Sequence, residues 1–487
     1  MSFANGRSTT MDQNAEYEEA IDLEALDQAH DDGLLSKPTP NTSRLVRAWL
    51  MVLSVVQKVL YYPPHGSLKL GPTAWLDGVR GIAALEVFIF HSMAIWASLV
   101  PAWGRDENGN LSFNVLQFPF VRTFFVSGGA AVCVFFVLSG YVLTQKSLRR
   151  IRKGSTQQVY PAVSSSMFRR GFRLYLPPIF TTFCEMLATR FGFVPPLSFI
   201  FVAESTLFAQ FLDWITETNS FVNPFYNFTA AIRGGIAHDK YDAVVWTIPV
   251  EYYGSFMCYF LLFLLVWIPN NGMRMGFVAV LSIFWMWLGC WNLFCFSSGM
   301  LIADFNLGQG DNPTPKYGKV WAAVFALSFY VAGFPTLMLG KLPMPGFETV
   351  YSLTPQSLAM EDHARLPWSI SGVLLLLSIS QLPRLKALFE TYFCQYLGKI
   401  AFSLYLIHEF SLTLFGLGLQ GVMLRIAGLE PHGHTVVYWL VCVVWYFLFT
   451  IPVFALAAQV ERWIDGPSVK FARWLEGQCL KYYRKGG

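Results

Sequence analysis

The sequence predicts an all-α protein, a polytopic membrane bundle with about ten transmembrane helices. Of its 487 residues 54% are hydrophobic and only 14% charged, against about 25% charged in an ordinary soluble domain. Mean hydropathy is positive, at +0.42. Apolar runs approaching the ~20 residues that a helix needs to cross a bilayer recur from Trp75 onward. A net charge of +4 is small for this length and gives no case for nucleic-acid binding. The eight cysteines lie mostly in apolar runs without Cys-x2-Cys or Cys/His zinc spacing, so they read as core residues and no metal site is predicted.

In chain order, residues 1–43 form a polar segment, and Asp12 to Asp32 holds nine acids with no Lys or Arg. Too little apolar surface is present to offset ordering entropy, which predicts a disordered cytoplasmic tail. No early apolar run marks a cleavable signal peptide. Residues 44–71 follow as an interfacial amphipathic helix and linker. Arg44, Arg47, Ser54 and Lys58 share one face of it, and Pro63-Pro64 ends it.

The membrane domain spans 72–460, with spans expected near 75–98, 120–144, 174–192, 245–268, 275–290, 291–303, 318–340, 366–382, 397–420 and 435–460. A basic, acid-free stretch from Lys146 to Arg173 reads as a loop on the cytoplasmic side. Ten spans return the basic tail, 461–487, to the same side, so both termini are expected in the cytoplasm. That parity needs a break near Gly289 to Asn292. The semi-apolar segment from about Phe193 to Val244 is expected to re-enter the membrane in part and to cap a site. Sequons at Asn110 and Asn227 fall outside in this topology, and one at Asn41 falls inside.

The first span carries charges that an apolar helix should avoid. From Arg80 to His91 a helix makes three turns plus ~20° and rises ~16 Å, so both side chains point the same way. Asp77, Arg80, Ala84, Phe88 and His91 form one stripe. Ionisable groups inside a span usually face a protein interior or a wet cavity, which makes the stripe a candidate site. The structural alternative is an Arg–Asp lock with a satisfied histidine.

Leu76-Asp77-Gly78-Val79-Arg80-Gly81-Ile82-Ala83-Ala84-Leu85, ending in His91 with ten residues after Arg80, resembles the first helix of the acyltransferase 3 family of integral-membrane O-acyltransferases and its Arg-x10-His pattern. Three later segments resemble that family in the same order: Phe135 to Tyr141, Trp246 to Tyr253, and Gly398 to His408. Phe294 to Leu301 resembles its small-residue helix. The likeness covers about residues 72–460.

The resemblance implies acyl transfer from acyl-CoA, with acetyl-CoA as the expected co-substrate and no permanently bound cofactor. The ~16 Å between Arg80 and His91 matches the scale of a phosphopantetheine arm. Arg170 and Arg173, in an Arg-x-x-Arg element like the family's, would join Arg80 on the nucleotide phosphates. A purely topological role stays open for them. His91 would act as general base toward a hydroxyl or carry the acyl group itself. Glu251, at the position marked by a Trp-Thr/Ser-x-x-Val-Glu pattern, would orient His91, hold the acceptor, or pair with a buried arginine. Tyr252 replaces the second acid common there, and Pro249 is expected to loosen the helix and free a carbonyl. Asp77, Ser139, Tyr141, Trp246 and His408 are candidate lining residues, with packing roles open for Ser139 and Tyr141 and a structural one favoured for His408. His432 and His434 read as solvated.

The expected function is therefore membrane O-acylation, with an acetyl group moved to a hydroxyl of a small-molecule, lipophilic or glycan acceptor. Family members that carry an additional esterase-like domain pass acyl groups to extracellular sugars. With about 25 residues after the last span, the acceptor here is expected to reach the membrane site itself. The expected partners are acyl-CoA, the acceptor and the lipid bilayer. The alternatives are a multi-pass transporter and an inactive membrane scaffold of the same fold.

Overall fold

The computed structural model describes residues 57–486 except 65, 69, 98–103, 106–110, 113–114, 196–200, 227–231, 233, 235–238, 311–316, 336–345, 356–363, 432 and 434. The acidic tail, most of the expected interfacial helix, the three sequon asparagines, His432 and His434 lie outside these residues. Apart from one two-residue antiparallel pair, Gly104–Arg105 with Leu111–Ser112, the described secondary structure is helical. The longer helices are α1 (Ala74–Met93), α2 (Gly128–Arg152), α3 (Val159–Thr189), α4 (Leu207–Val222), α5 (Thr247–Leu265), α6 (Asn271–Trp287) and α7 (Trp291–Gln309). They are followed by α8 (Gly318–Ala332), α9 (Arg365–Gln381), α10 (Pro383–Phe389), α11 (Tyr392–Ser411), α12 (Leu417–Ala427), α13 (Val436–Val460) and α14 (Gly466–Gly486).

A helix lies at each of the ten expected places, but length and composition qualify fewer of them as spans. Among the described residues four helical segments are long and apolar enough to cross a membrane: Gly128–Arg152, Ala243–Leu265, Tyr392–Ala427 and Val436–Tyr482. The pair α9 and α10, bent by 103°, makes a fifth if counted as one. The others fall short for physical reasons. α1 carries Asp77, Arg80 and Glu86, α3 carries Arg169, Arg170 and Arg173, and α6 and α8 have 17 and 15 residues.

Two boundaries differ from expectation. The basic stretch is mostly not a loop, because α2 runs on through Lys146, Arg149, Arg150 and Arg152, and α3 already begins at Val159. Cations in a last helical turn complement the helix dipole. Arg152 also docks on Asp304 of α7, with Nε 2.6 Å from Oδ1, which lets the helix continue past the apolar run. Pro249 sits in the first turn of α5, where a missing N–H costs no intrahelical bond, so it does not open the helix as expected. The break between α6 and α7 does fall at Gly289, whose φ of 78° suits glycine.

Close helix packing positions the site. A Cβ added to Gly81 of α1 would lie 2.4 Å from the backbone nitrogen of Gly398 on α11, and one on Gly398 would lie 2.4 Å from the Asp77 carbonyl oxygen. The two helices therefore meet backbone to backbone, bringing the His91 end of α1 beside the His408 end of α11. A second such contact joins α2 to α7, where Cβ atoms at Gly140 and Gly299 would lie 2.0 Å from the carbonyl oxygens of Phe296 and Val137. Small residues permit this approach, as in membrane helix pairs generally.

In the segment 193–244, α4 is too short to cross a bilayer. It turns Leu207, Phe208, Leu212 and Ile215 outward and anchors inward through buried Gln210, whose Nε2 donates to the Tyr241 hydroxyl at 2.6 Å.

Candidate active site

The site is strung along α1. At one end the Arg80 guanidinium meets Asp77 Oδ1 at 2.8 Å and donates from Nη2 to the Gly398 carbonyl at 3.0 Å. Arg170 of α3 donates from Nη2 to Glu251 and from Nε to Ser255 Oγ at 3.0 Å. Arg173 remains open to solvent although Asp465, Arg170, Arg80 and Tyr259 lie within electrostatic range of it. Arg80, Arg170 and Arg173 thus form one basic end, contributed by α1 and α3, with Asp465 as a counter-charge.

At the other end His91 Nδ1 lies 2.5 Å from Oε1 of Glu409. A carboxylate only accepts, so Nδ1–H donates to it and Nε2 is left with its lone pair free for chemistry. The ring of His408 packs against His91 with centroids 5.1 Å apart. His408 Nδ1 donates to the Tyr405 carbonyl at 2.7 Å, and its buried Nε2 has no hydrogen-bond partner among the described residues. Tyr405 is itself fixed: its hydroxyl donates to the Val244 carbonyl and accepts from Thr247 Oγ1, each at 3.0 Å. The start of α5 therefore sets the position of His408. Four residues beyond His408 the helix widens into a π turn, Leu412–Gly416, a feature frequent near functional sites.

The carboxylate at His91 is Glu409, not Glu251. Of the roles open to Glu251, the geometry has the pairing with an arginine. Its Oε1 receives Arg170 and also the Ser139 hydroxyl at 2.6 Å, so α2, α3 and α5 are tied together there. Tyr141 is buried, with its hydroxyl 3.3 Å from Asn306 Nδ2. Trp246 packs under Arg365, which also sits over the rings of Trp291 and Trp368 at 4.5 and 5.5 Å. Asp77 serves Arg80. The structure thus brings His91 and His408 together at one end and Arg80, Arg170, Arg173 and Asp77 at the other, with Ser139 and Glu251 joined to Arg170.

Sequence reasoning gave Glu409, next to His408, no role. The signal was present, because two adjacent ionisable residues in an apolar helix are as costly as those of α1. Among the described residues the donor atoms of His91, His408 and Glu409 lie within 4.8 Å of one another, close enough to share a cation. The 2.5 Å contact already engages His91 Nδ1 and a Glu409 oxygen with each other, and we read the group as a hydrogen-bonded dyad with a stacked second imidazole.

Two largely apolar cavities flank α3. One, of about 500 Å³, lies between α3 and α5 and is lined by Phe172, Tyr175, Tyr252 and Phe256. The other, of about 640 Å³, lies among α3, α11, α13 and α14 and is lined by Cys184, Ile407, Phe410 and Trp463. Neither is lined by His91 or Arg80.

Known proteins give the arrangement a context. A family model described as an acyltransferase domain matches residues 73–458. An O-acetyltransferase of Phomopsis amygdali is 29% identical over 447 residues, covering 86% of this chain and 87% of the relative. Acyltransferases of Cochliobolus lunatus and a Phoma species are 25% and 23% identical, over 71% and 85% of this chain and 83% and 97% of their own lengths. No solved structure matches. With the family pattern running from α1 to α13 and every motif segment placed, the chain belongs to the acyltransferase 3 family and is an acyltransferase.

Proposed function

We propose that this protein moves an acetyl group from acetyl-CoA to a hydroxyl of a lipophilic or otherwise membrane-accessible acceptor. The observation that carries this reading is the His91–Glu409 contact at 2.5 Å on the same helix as Arg80, eleven residues away. The likeness to an O-acetyltransferase supports acetyl as the group moved.

In this reading Arg80, Arg170 and Arg173 hold the nucleotide phosphates. Guanidinium groups suit this because their planar forks donate two hydrogen bonds to one phosphate. The pantetheine arm then runs along α1 toward His91. Glu409 holds the Nδ1 tautomer, so Nε2 takes the proton of the acceptor hydroxyl as its oxygen attacks the thioester carbonyl. The C–O bond forms, the C–S bond breaks, and the electron pair leaves on sulfur. General-base assistance of this kind is typically worth ~10² to 10⁴ in rate. A histidine that first takes the acyl group on Nε2 would use the same contacts. The basic end faces the cytoplasm, where acetyl-CoA is supplied. The apolar cavities beside α3 fit an acceptor that arrives through the bilayer.

The test is untargeted mass spectrometry of extracts from cells expressing wild type or His91→Ala at equal membrane abundance. Compounds heavier by an acetyl group that appear only with wild type are expected, and they identify the acceptor. Matching profiles, together with acetyl-CoA failing to bind the purified wild type, would overturn the reading.

A further inference from the structure

His408 has a ring nitrogen that the reaction as described does not use. Its Nδ1 lies 2.7 Å from the Tyr405 carbonyl oxygen, which can only accept, so Nδ1 carries the proton and Nε2 the lone pair. That Nε2 is buried and has no hydrogen-bond partner among the described residues. Neighbouring residues on a helix diverge by ~100°, so His408 and Glu409 do not face each other. His91 of α1 stands in the angle between them, its ring 5.1 Å from that of His408 and its Nδ1 2.5 Å from Glu409 Oε1. One donor atom from each of the three lies within 4.8 Å of the other two.

Two imidazoles and a carboxylate are a ligand set that suits zinc, and three such ligands leave a fourth position for water. The Nδ1–H of His408 on a backbone carbonyl is the outer contact that a metal-bound histidine normally makes, since it fixes the tautomer and aims Nε2. Ligand atoms around a tetrahedral zinc stand about 3.3 Å apart, given Zn–N bonds of about 2.0–2.1 Å. The His91–Glu409 pair therefore opens from 2.5 Å, and the widest pair closes from within 4.8 Å. Side-chain torsions supply both movements. His91, about a third exposed, gives a cation its way in, and His408, 2% exposed, closes the back of the group.

We propose that His91, His408 and Glu409 also form a zinc site, and that zinc bound there switches the acyltransferase off. The site stands on its own geometry, whereas the switch rests on the acyl-transfer reading above. In that reading His91 works with its proton on Nδ1, facing Glu409, and its lone pair on Nε2. Zinc that takes Nδ1 displaces that proton to Nε2, where the lone pair is lost. Zinc that takes Nε2 occupies the lone pair itself. Either way the acceptor hydroxyl meets no base. Mg²⁺ does not replace zinc here, because it prefers oxygen ligands in an octahedron.

The experiment uses the full-length protein in lipid nanodiscs, purified without a polyhistidine tag. Zinc binding is measured by calorimetry, and Co²⁺ as a coloured substitute reports the ligand set by its visible absorption. CoA formed from acetyl-CoA is counted by chromatography after quenching with EDTA, so that zinc on the CoA thiol does not distort the count. The expected result is a site on wild type whose affinity falls by about a hundredfold in His408→Gln and in Glu409→Gln, with the Co²⁺ absorption lost in both. Saturating zinc should lower CoA formation by wild type about tenfold or more, EDTA should restore it, and Mg²⁺ should leave it unchanged. His408→Gln, compared with its own zinc-free rate, should keep that rate at the same zinc concentration, and Glu409→Gln carries the binding test if His408→Gln does not fold. Equal zinc affinity in wild type and the folded variants, with His91→Ala inactive, would overturn the site and leave the acyl-transfer reading standing. Zinc bound at the site without loss of CoA formation would overturn the switch. CoA formation by His91→Ala equal to wild type would overturn the acyl-transfer reading and the switch with it.

Discussion

The two ends of α1 solve opposite problems. At the Arg80 end the charges have local partners and water: Asp77 lies one turn away, Arg170 holds Glu251, and Arg173 remains open. At the His91 end one short contact to Glu409 stands beside the buried His408, whose Nε2 has no hydrogen-bond partner among the described residues. The first arrangement suits a phosphate-rich ligand that arrives and leaves, because the half-exposed Arg80 and the exposed Arg173 exchange water for phosphate at little cost. The second suits proton transfer, because the buried Glu409 and His408 limit the water that competes for the proton while His91, about a third exposed, stays within reach of a substrate.

Substitutions that treat the two ends separately sharpen this contrast. His91→Ala should have the largest effect, lowering turnover by about 10² to 10⁴ while acetyl-CoA still binds, as equilibrium binding to the purified variant would record. The double change Arg80→Ala with Arg173→Ala should act at the other end. It should raise the KM for acetyl-CoA by about tenfold with kcat little changed, and weaken the salt dependence of binding. Glu251→Ala should have the smallest effect on turnover per folded molecule, because Glu251 is committed to Arg170 and Ser139. Leaving the arginine unpaired should instead lower stability by about 2–3 kcal/mol, seen as a drop in the melting temperature of the detergent-extracted protein. A large loss of turnover with unchanged stability in that variant would move Glu251 from the scaffold into the chemistry.

How much of this was legible in the sequence varied with the range of the interaction. The stripe from Asp77 to His91 lies within one helix, so helical periodicity alone placed it, and Gly81 and Gly398 sit in the segments that meet. Helix ends were harder to read. The end of α2 depends on Asp304, more than 150 residues away, which accepts Arg152 and the fully buried Arg274 together. Without that partner the arginines looked like loop residues. The pairing of His91 with Glu409 spans more than 300 residues, and nothing local distinguishes it from a pairing with Glu251.

The central claim, that chemistry belongs to the His91–Glu409 end and ligand holding to the arginine end, meets its most direct test in Glu409→Gln. The measurement is the acetyl-CoA concentration dependence of thiol release, compared with wild type at equal amounts of folded protein. A kcat lower by about ten- to a hundredfold with KM unchanged is expected. An unchanged kcat, or a loss confined to KM, would contradict it.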